Sequence, residues 1–178
     1  VDPPDMDDSL ELCSDGNEHW IFGAIDVVRI NFQKTKYRIV SPQVILLYDL
    51  EKNVPKISSV LSEEFLPQEL GLEDFQGLSF DKGCYPGQEV IARIQNLGKV
   101  KRRVFRYSGS LSCPPSIGSV LVDLEGTPIG EVIRSVQINS QRVELLAIIR
   151  IDAAKKPLNL SEEPQKPLMC QQLPWDTL

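Results

Sequence analysis

Histidine is almost missing from this chain: His19 stands alone in 178 residues, beside four cysteines at positions 13, 84, 113 and 170. With one imidazole and no Cys-x-x-Cys pair, a closed structural zinc site has no ligand set. The four-cysteine run that holds a permanent iron–sulfur cluster is also lacking. Cysteines this far apart do not form a secreted disulfide framework, so the thiols are read as reduced, in a cytosol-like or organellar matrix compartment. His19, next to Trp20 in an acidic segment, has none of the positioned partners that catalysis requires. No apolar run approaches the roughly 20 residues of a membrane-spanning helix. Lys and Arg are absent before Arg29, whereas Asp2, Asp5, Asp7, Asp8, Glu11, Asp15, Glu18 and Asp26 crowd that stretch. An acidic start of this kind is unlike an Arg-rich transit peptide and reads as a solvated tail over residues 1–19.

What the chain does contain is enough apolar residue, 42%, for a core of one domain or one and a half. The net charge of −6 argues against general nucleic-acid binding. Residues 20–98 read as a mixed region. Within it, 20–30 is a helix or a buried strand, 37–40 and 44–48 are strands separated by Ser41-Pro42, and a short turn begins at 62–66. Residues 99–154 read as all β, with strands expected at 100–107, 119–123, 128–134 and 143–151, divided by Pro114-Pro115, Glu125-Gly126 and Asn139-Ser140. Short strands at this spacing predict a small barrel or sandwich. From Lys155 to the end, repeated Pro with Ser, Glu and Gln predicts a loose tail. The fold class expected is α+β.

The most informative run is Lys82-Gly83-Cys84-Tyr85-Pro86-Gly87-Gln88-Glu89. Pro86 suits a first helical position, Val90, Ile91, Ile94 and Leu97 recur at helical spacing, and Gly98 supplies the stop. Cys84 is therefore placed just before a helix N-terminus, where free N–H groups, the helix dipole and Lys82 would favour a thiolate or hold an anion. Gly83 and Gly87 permit unusual backbone angles and close approach by another molecule. Downstream, Arg93, Lys99, Lys101, Arg102, Arg103 and Arg106 form a basic ribbon, read either as the solvated face of a strand or as a platform for an anionic ligand or acidic partner.

This octapeptide resembles the signature of the YgfZ family, folate-binding proteins related to the glycine cleavage T protein that assist iron–sulfur cluster assembly. The likeness continues through Pro67-Gln68-Glu69-Leu70-Gly71-Leu72 and Leu78-Ser79-Phe80 before it, and Val90-Ile91-Ala92-Arg93 and Gly98-Lys99-Val100-Lys101-Arg102 after it. The resemblance implies part of a mixed α/β folate-binding region like that of the T protein, over 20–98, followed by a small antiparallel C-terminal β-barrel. A larger folate-binding half is expected upstream of Val1. Residues 31–63 depart from the family and are read as an insertion or altered segment.

The function so implied is that of a tetrahydrofolate-dependent accessory factor in iron–sulfur cluster assembly or repair, more an assembly factor than an enzyme. Cys84 and Lys82 are its reactive pair, and Gly83, Tyr85, Gly87, Gln88, Glu89 and Arg93 are its ligand-binding residues. In that scheme Lys82 favours the ionised thiol, and Gln88 and Glu89 orient loop or ligand. Arg93 pairs with Glu89, an arrangement equally readable as an ordinary surface ion pair. Tyr85 stacks on a pterin or covers the core. Partners expected are iron–sulfur assembly or client proteins and a folate, with no nucleic acid and no membrane. The expected setting is an organellar matrix or stroma in a eukaryote and the cytoplasm in a bacterium. Two alternatives remain open: an aminomethyltransferase passing a one-carbon unit to tetrahydrofolate, and a non-catalytic barrel that docks a partner.

Overall fold

The computed structural model describes residues 41–172 and the backbone of 11–15 and 18–22, and the chain divides into two units at Ser41/Pro42. In the first unit, β1 (Glu11–Asp15) pairs antiparallel with β2 (Glu18–Phe22), in register from Glu11 opposite Phe22 to Asp15 opposite Glu18. Residues 1–19 are thus not tail throughout. Gly16-Asn17 between the strands is a dipeptide that tight hairpins favour, and it overrides the acidic composition. Of the segment 20–30 the structure describes only the end of β2. The strand expected at 37–40, and residues 31–40 of the segment read as an insertion, lie outside the described residues.

The second unit opens with α1 (Pro42–Glu51), a helix where a strand was expected at 44–48. Val44-Ile45-Leu46-Leu47 is apolar at every position, so it carries no period that separates strand from helix. Pro42 sits at the first helical position, which its fixed φ suits. Tertiary packing decides: Leu50 is fully buried, and Leu46 and Leu47 pack on the same cluster as Leu61, Leu70, Val104, Ile133, Val136, Leu146 and Ile148. A 3-10 turn (Ser59–Leu61) and a chain of turns follow. The motif helix is α2 (Gln88–Leu97).

The remainder is a closed antiparallel barrel: β3 (Arg102–Gly109), β4 (Val120–Val122), β5 (Pro128–Asn139), β6 (Arg142–Arg150), β7 (Leu158–Leu160) and β8 (Glu163–Gln172). Its strand order is β3-β6-β5-β4-β7-β8, with β8 pairing back to β3. The fold class is α+β with a C-terminal barrel, as the sequence predicts. The barrel extends past residue 154, however, so 155–172 is not a loose tail. Leu158, Leu160 and Leu168 fill the interior, and the ladder pairs of β8 fall on Glu163, Leu168, Met169, Cys170 and Gln172, so neither Pro164 nor Pro167 is a register-paired position.

Val143 to Ile149 is buried at every position. Alternate residues Val143, Leu145, Ala147 and Ile149 face the barrel core, and Leu146 and Ile148 face the layer under α1. This strand is covered on both sides, which is why its sequence reads as a continuous apolar run. Glu144, buried in the same strand, meets Arg106 at 3.0 Å and Arg142 at 2.7 Å. Among the described residues, no helix is long and apolar enough to cross a membrane. None of them forms a cluster of three or more His, Cys, Asp or Glu placed to hold a metal.

Candidate functional site

The motif residues form an exposed loop that turns into α2. Lys82, Gly83 and Cys84 are exposed, Tyr85 is half-buried, and nothing lies within 4 Å of where a Cβ would stand on Gly83 or Gly87. Gly87 caps the helix at φ 84°, a left-handed conformation that a side chain disfavours. The helix therefore starts at Gln88 rather than at Pro86. Gln88 N–H donates to the Tyr85 carbonyl at 3.2 Å, and Ile91 N–H donates to the Gly87 carbonyl at 3.3 Å. The thiol of Cys84 is thus reachable, one loop turn outside the helix start. Gly98 ends the helix as expected, its N–H bonded to the Ile94 carbonyl at 3.0 Å.

The Lys82 ammonium lies over the Tyr85 ring, 4.6 Å from its centroid, so its charge is engaged by the aromatic face. Among the described residues, no ion pair joins Glu89 to Arg93; both side chains stay in solvent, where hydration competes with an isolated pair. Gln88 is half-buried at the first helical turn.

The basic ribbon is divided by its partners. Arg102 meets Glu69 at 2.9 Å, Arg103 meets Asp74 at 2.8 Å and Glu73 at 3.7 Å, and Arg106 meets Glu144. Half of the ribbon is therefore neutralised by acids remote in sequence. Arg93, Lys99 and Lys101 remain exposed near the motif helix in sequence.

Gln68 and Glu69 carry no local signal of a role in the sequence, yet both are buried. Gln68 is fully buried, and its Nε2 donates to the Ile91 carbonyl of α2 at 2.8 Å. Glu69 binds Arg102 through both carboxylate oxygens, accepts Leu66 N–H at 3.1 Å, and offers its carbonyl to Val104 N–H at 3.0 Å. The segment 67–72 thereby ties the motif helix to β3. The only sequence signal for this was a Gln-Glu pair between Pro67 and Leu70, in a stretch otherwise suited to burial.

Chemically, the loop can offer a thiol to a large partner, with open backbone on both sides. It does not fit tetrahydrofolate by itself. Gly83, Cys84, Gly87, Glu89 and Arg93 are all exposed, whereas a site that holds a folate-sized molecule encloses most of it.

No family model matches the chain. Among curated proteins it is 33% identical over 134 residues to the tRNA-modifying protein YgfZ of Yersinia pestis (strain Pestoides F), a match covering 73% of this chain and 41% of that protein. The protein of the same name from Yersinia enterocolitica serotype O:8 is 31% identical over the same span and shares. Among solved structures, glycine cleavage system aminomethyltransferase T from Bartonella henselae superposes with a TM-score of 0.39 at 16% identity, over 49% of this chain and 25% of that one. By its identity to the curated relatives, of whose length it spans 41%, the chain belongs to the YgfZ-type family.

Proposed function

We propose that this chain acts in iron–sulfur cluster assembly or repair through Cys84, as part of a tetrahydrofolate-dependent accessory factor. The observation that carries the reading is the exposure of Cys84 in a loop whose glycines leave open space around the sulfur-bearing backbone. In this scheme the Cys84 sulfur donates a lone pair to an iron of a cluster or iron-bearing protein, its proton passing to solvent, with no change of oxidation state. The bond is exchanged for one from the client's own ligand, and the thiol regains a proton. A single cysteine suits a transient ligand, since resident clusters take about four. Gln88 and Glu89 orient the loop or the incoming partner, and Arg93 supplies positive charge on the next turn of α2. Folate dependence enters with the family, and no step on these residues runs through the folate.

The relatives are named for tRNA modification, and we take that as the process served, by way of iron–sulfur enzymes, with no RNA contact by this chain. The net charge of −6 supports that division of labour. In cells lacking the protein, iron–sulfur enzyme activities and modified tRNA nucleosides are expected to fall, and Cys84→Ala should fail to restore either. Restoration by Cys84→Ala would end the thiol reading. Loss of glycine cleavage activity with iron–sulfur enzymes intact would favour the aminomethyltransferase instead.

A further inference from the structure

A separate cavity of about 250 Å³ lies between the C-terminal end of α1, the turns at 70–75 and the start of β3. Its apolar side is built from Leu70 and Val104, both buried, and from the ring of Phe75, which is 44% exposed. Gly71 lines it as well. At φ 70° Gly71 holds a left-handed turn, and a Cβ there would stand 3.4 Å from Asp74 Oδ2 and 3.8 Å from Arg103 Nε.

The polar groups of this cavity are unevenly spent. Its two cations already have partners: Arg103 is held by Asp74 and Glu73, and the Lys52 ammonium lies 5.6 Å from the Tyr48 ring centroid. Its acceptors are not all used. Glu51 is exposed and joins no ion pair among the described residues. Asn53 Oδ1 is shielded from water and has no hydrogen-bond partner, an unfavourable state for a polar atom. An arriving N–H can relieve that cost by turning the amide about its broad terminal torsion. Asn53 follows the end of α1, where the helix dipole presents its negative pole. The lining carries two acids, Glu51 and Asp74, and two bases, Lys52 and Arg103; Glu73, outside the lining, lies 3.7 Å from Arg103.

We propose that this cavity binds a primary ammonium or guanidinium group carried on a short apolar stem. The cationic head is held by Glu51, Asn53 Oδ1 and the end of α1, and the stem lies against Phe75, Leu70 and Val104. Phe75 also offers its ring face to the charge. A lysine or arginine side chain of a partner and a free polyamine-type molecule both present this chemistry. A carboxylate of the same length does not.

The test is titration of the isotope-labelled full chain, followed by amide NMR, with agmatine, with N-acetyl-lysine methylamide and with glutarate. The first two should shift the Asn53 side-chain amide and the Gly71 N–H saturably at up to millimolar concentration, and glutarate should not. Stronger binding of the blocked lysine identifies a partner side chain as the source; stronger binding of agmatine identifies a free amine. Glu51→Gln, an exposed change that leaves the fold intact, should weaken the amine about three- to tenfold by loss of one solvent-screened charge-assisted contact. Asn53→Asp, which keeps the backbone conformation accessible, should tighten it. Absence of saturable shifts with both amines, or affinities unchanged in both variants, would overturn the proposal.

Discussion

Gln68 combines two opposing energies in one side chain. Its Nε2 hydrogen bond to the Ile91 carbonyl contributes a net of about 0.5–1.5 kcal/mol, whereas its Oε1, buried without a partner, costs about 1–3 kcal/mol. Gln68→Leu removes both at similar volume, so thermal stability should change little. The anchor of α2 is lost all the same, because no α2 side chain whose burial is described is fully buried. Hydrogen exchange of the α2 amides is therefore expected to accelerate while the melting temperature holds within a few degrees; a large drop in melting temperature would contradict this balance. Tyr107 is a second case. Its hydroxyl donates to the Ala154 carbonyl at 2.8 Å inside the barrel, and burial first, then Cys170, pushes its ionisation far above the ordinary value of 10.0. A raised folded-state value means that the native phenol keeps its proton when the unfolded one would lose it. The stabilisation is complete below pH 10 and is lost as pH rises beyond it, by up to about 1.4 kcal/mol per pH unit. Urea melts across pH 9 to 11.5 should show that decline, and Tyr107→Phe should flatten it while costing about 1 kcal/mol at neutral pH. Single residues were unevenly legible in the sequence. The exposed, glycine-flanked Cys84 follows from local chemistry, but the engagement of Lys82 by Tyr85 and the clamp from Gln68 depend on who meets whom in space.

At the scale of elements, legibility followed period and punctuation. The strands β3 to β6 were readable within a few residues because Pro, Gly and Asn mark their ends, although β5 runs on to Asn139 and not to Arg134. The motif helix was readable from its apolar spacing and Gly98. Helix α1 was not, since its apolar residues surround the axis. What fixes α1 is partly an ion pair invisible to local reasoning: Asp49 lies 3.1 Å from Arg134 on β5 and 2.7 Å from Lys56. Asp49 Oδ2 nonetheless makes no aligned hydrogen bond, so its attraction to Arg134 Nη2 is chiefly Coulombic. The Asp49 and Arg134 side chains are only 13% and 11% exposed, against 49% for Lys56. Asp49→Ala would leave the Arg134 charge buried and uncompensated, at a cost of about 3–5 kcal/mol. Lys56→Ala removes only a solvent-screened partner and should cost at most about 1 kcal/mol. Chemical denaturation of the two variants compares these directly, and equal effects would show that Arg134 is less dependent on Asp49 than its burial implies.

For the molecule as a whole, the decisive feature is closure of the barrel by the segment that the sequence presented as a loose end. Proline at 157, 164 and 167 with intervening Ser, Glu and Gln is what a disordered tail looks like locally. Closure supplies a global reason for order. β7 completes the ladder beyond β4, β8 joins β7 to β3, and without them β3 and β4 become open edges. Leu158 and Leu168 are fully buried and Leu160 nearly so. At about 1.5–3 kcal/mol for each buried leucine, the three together contribute roughly 5–9 kcal/mol. A domain's entire stability is about 5–15 kcal/mol. Ending the chain at Lys156 should therefore abolish cooperative unfolding and collapse amide NMR dispersion, with Tyr107 losing both its cover and its Cys170 neighbour. Ending it at Gln172 keeps all six strands of the barrel and should leave the melt unchanged. A dispersed spectrum and a sharp transition from the shorter chain would mean that the four strands β3 to β6 carry the fold without closure.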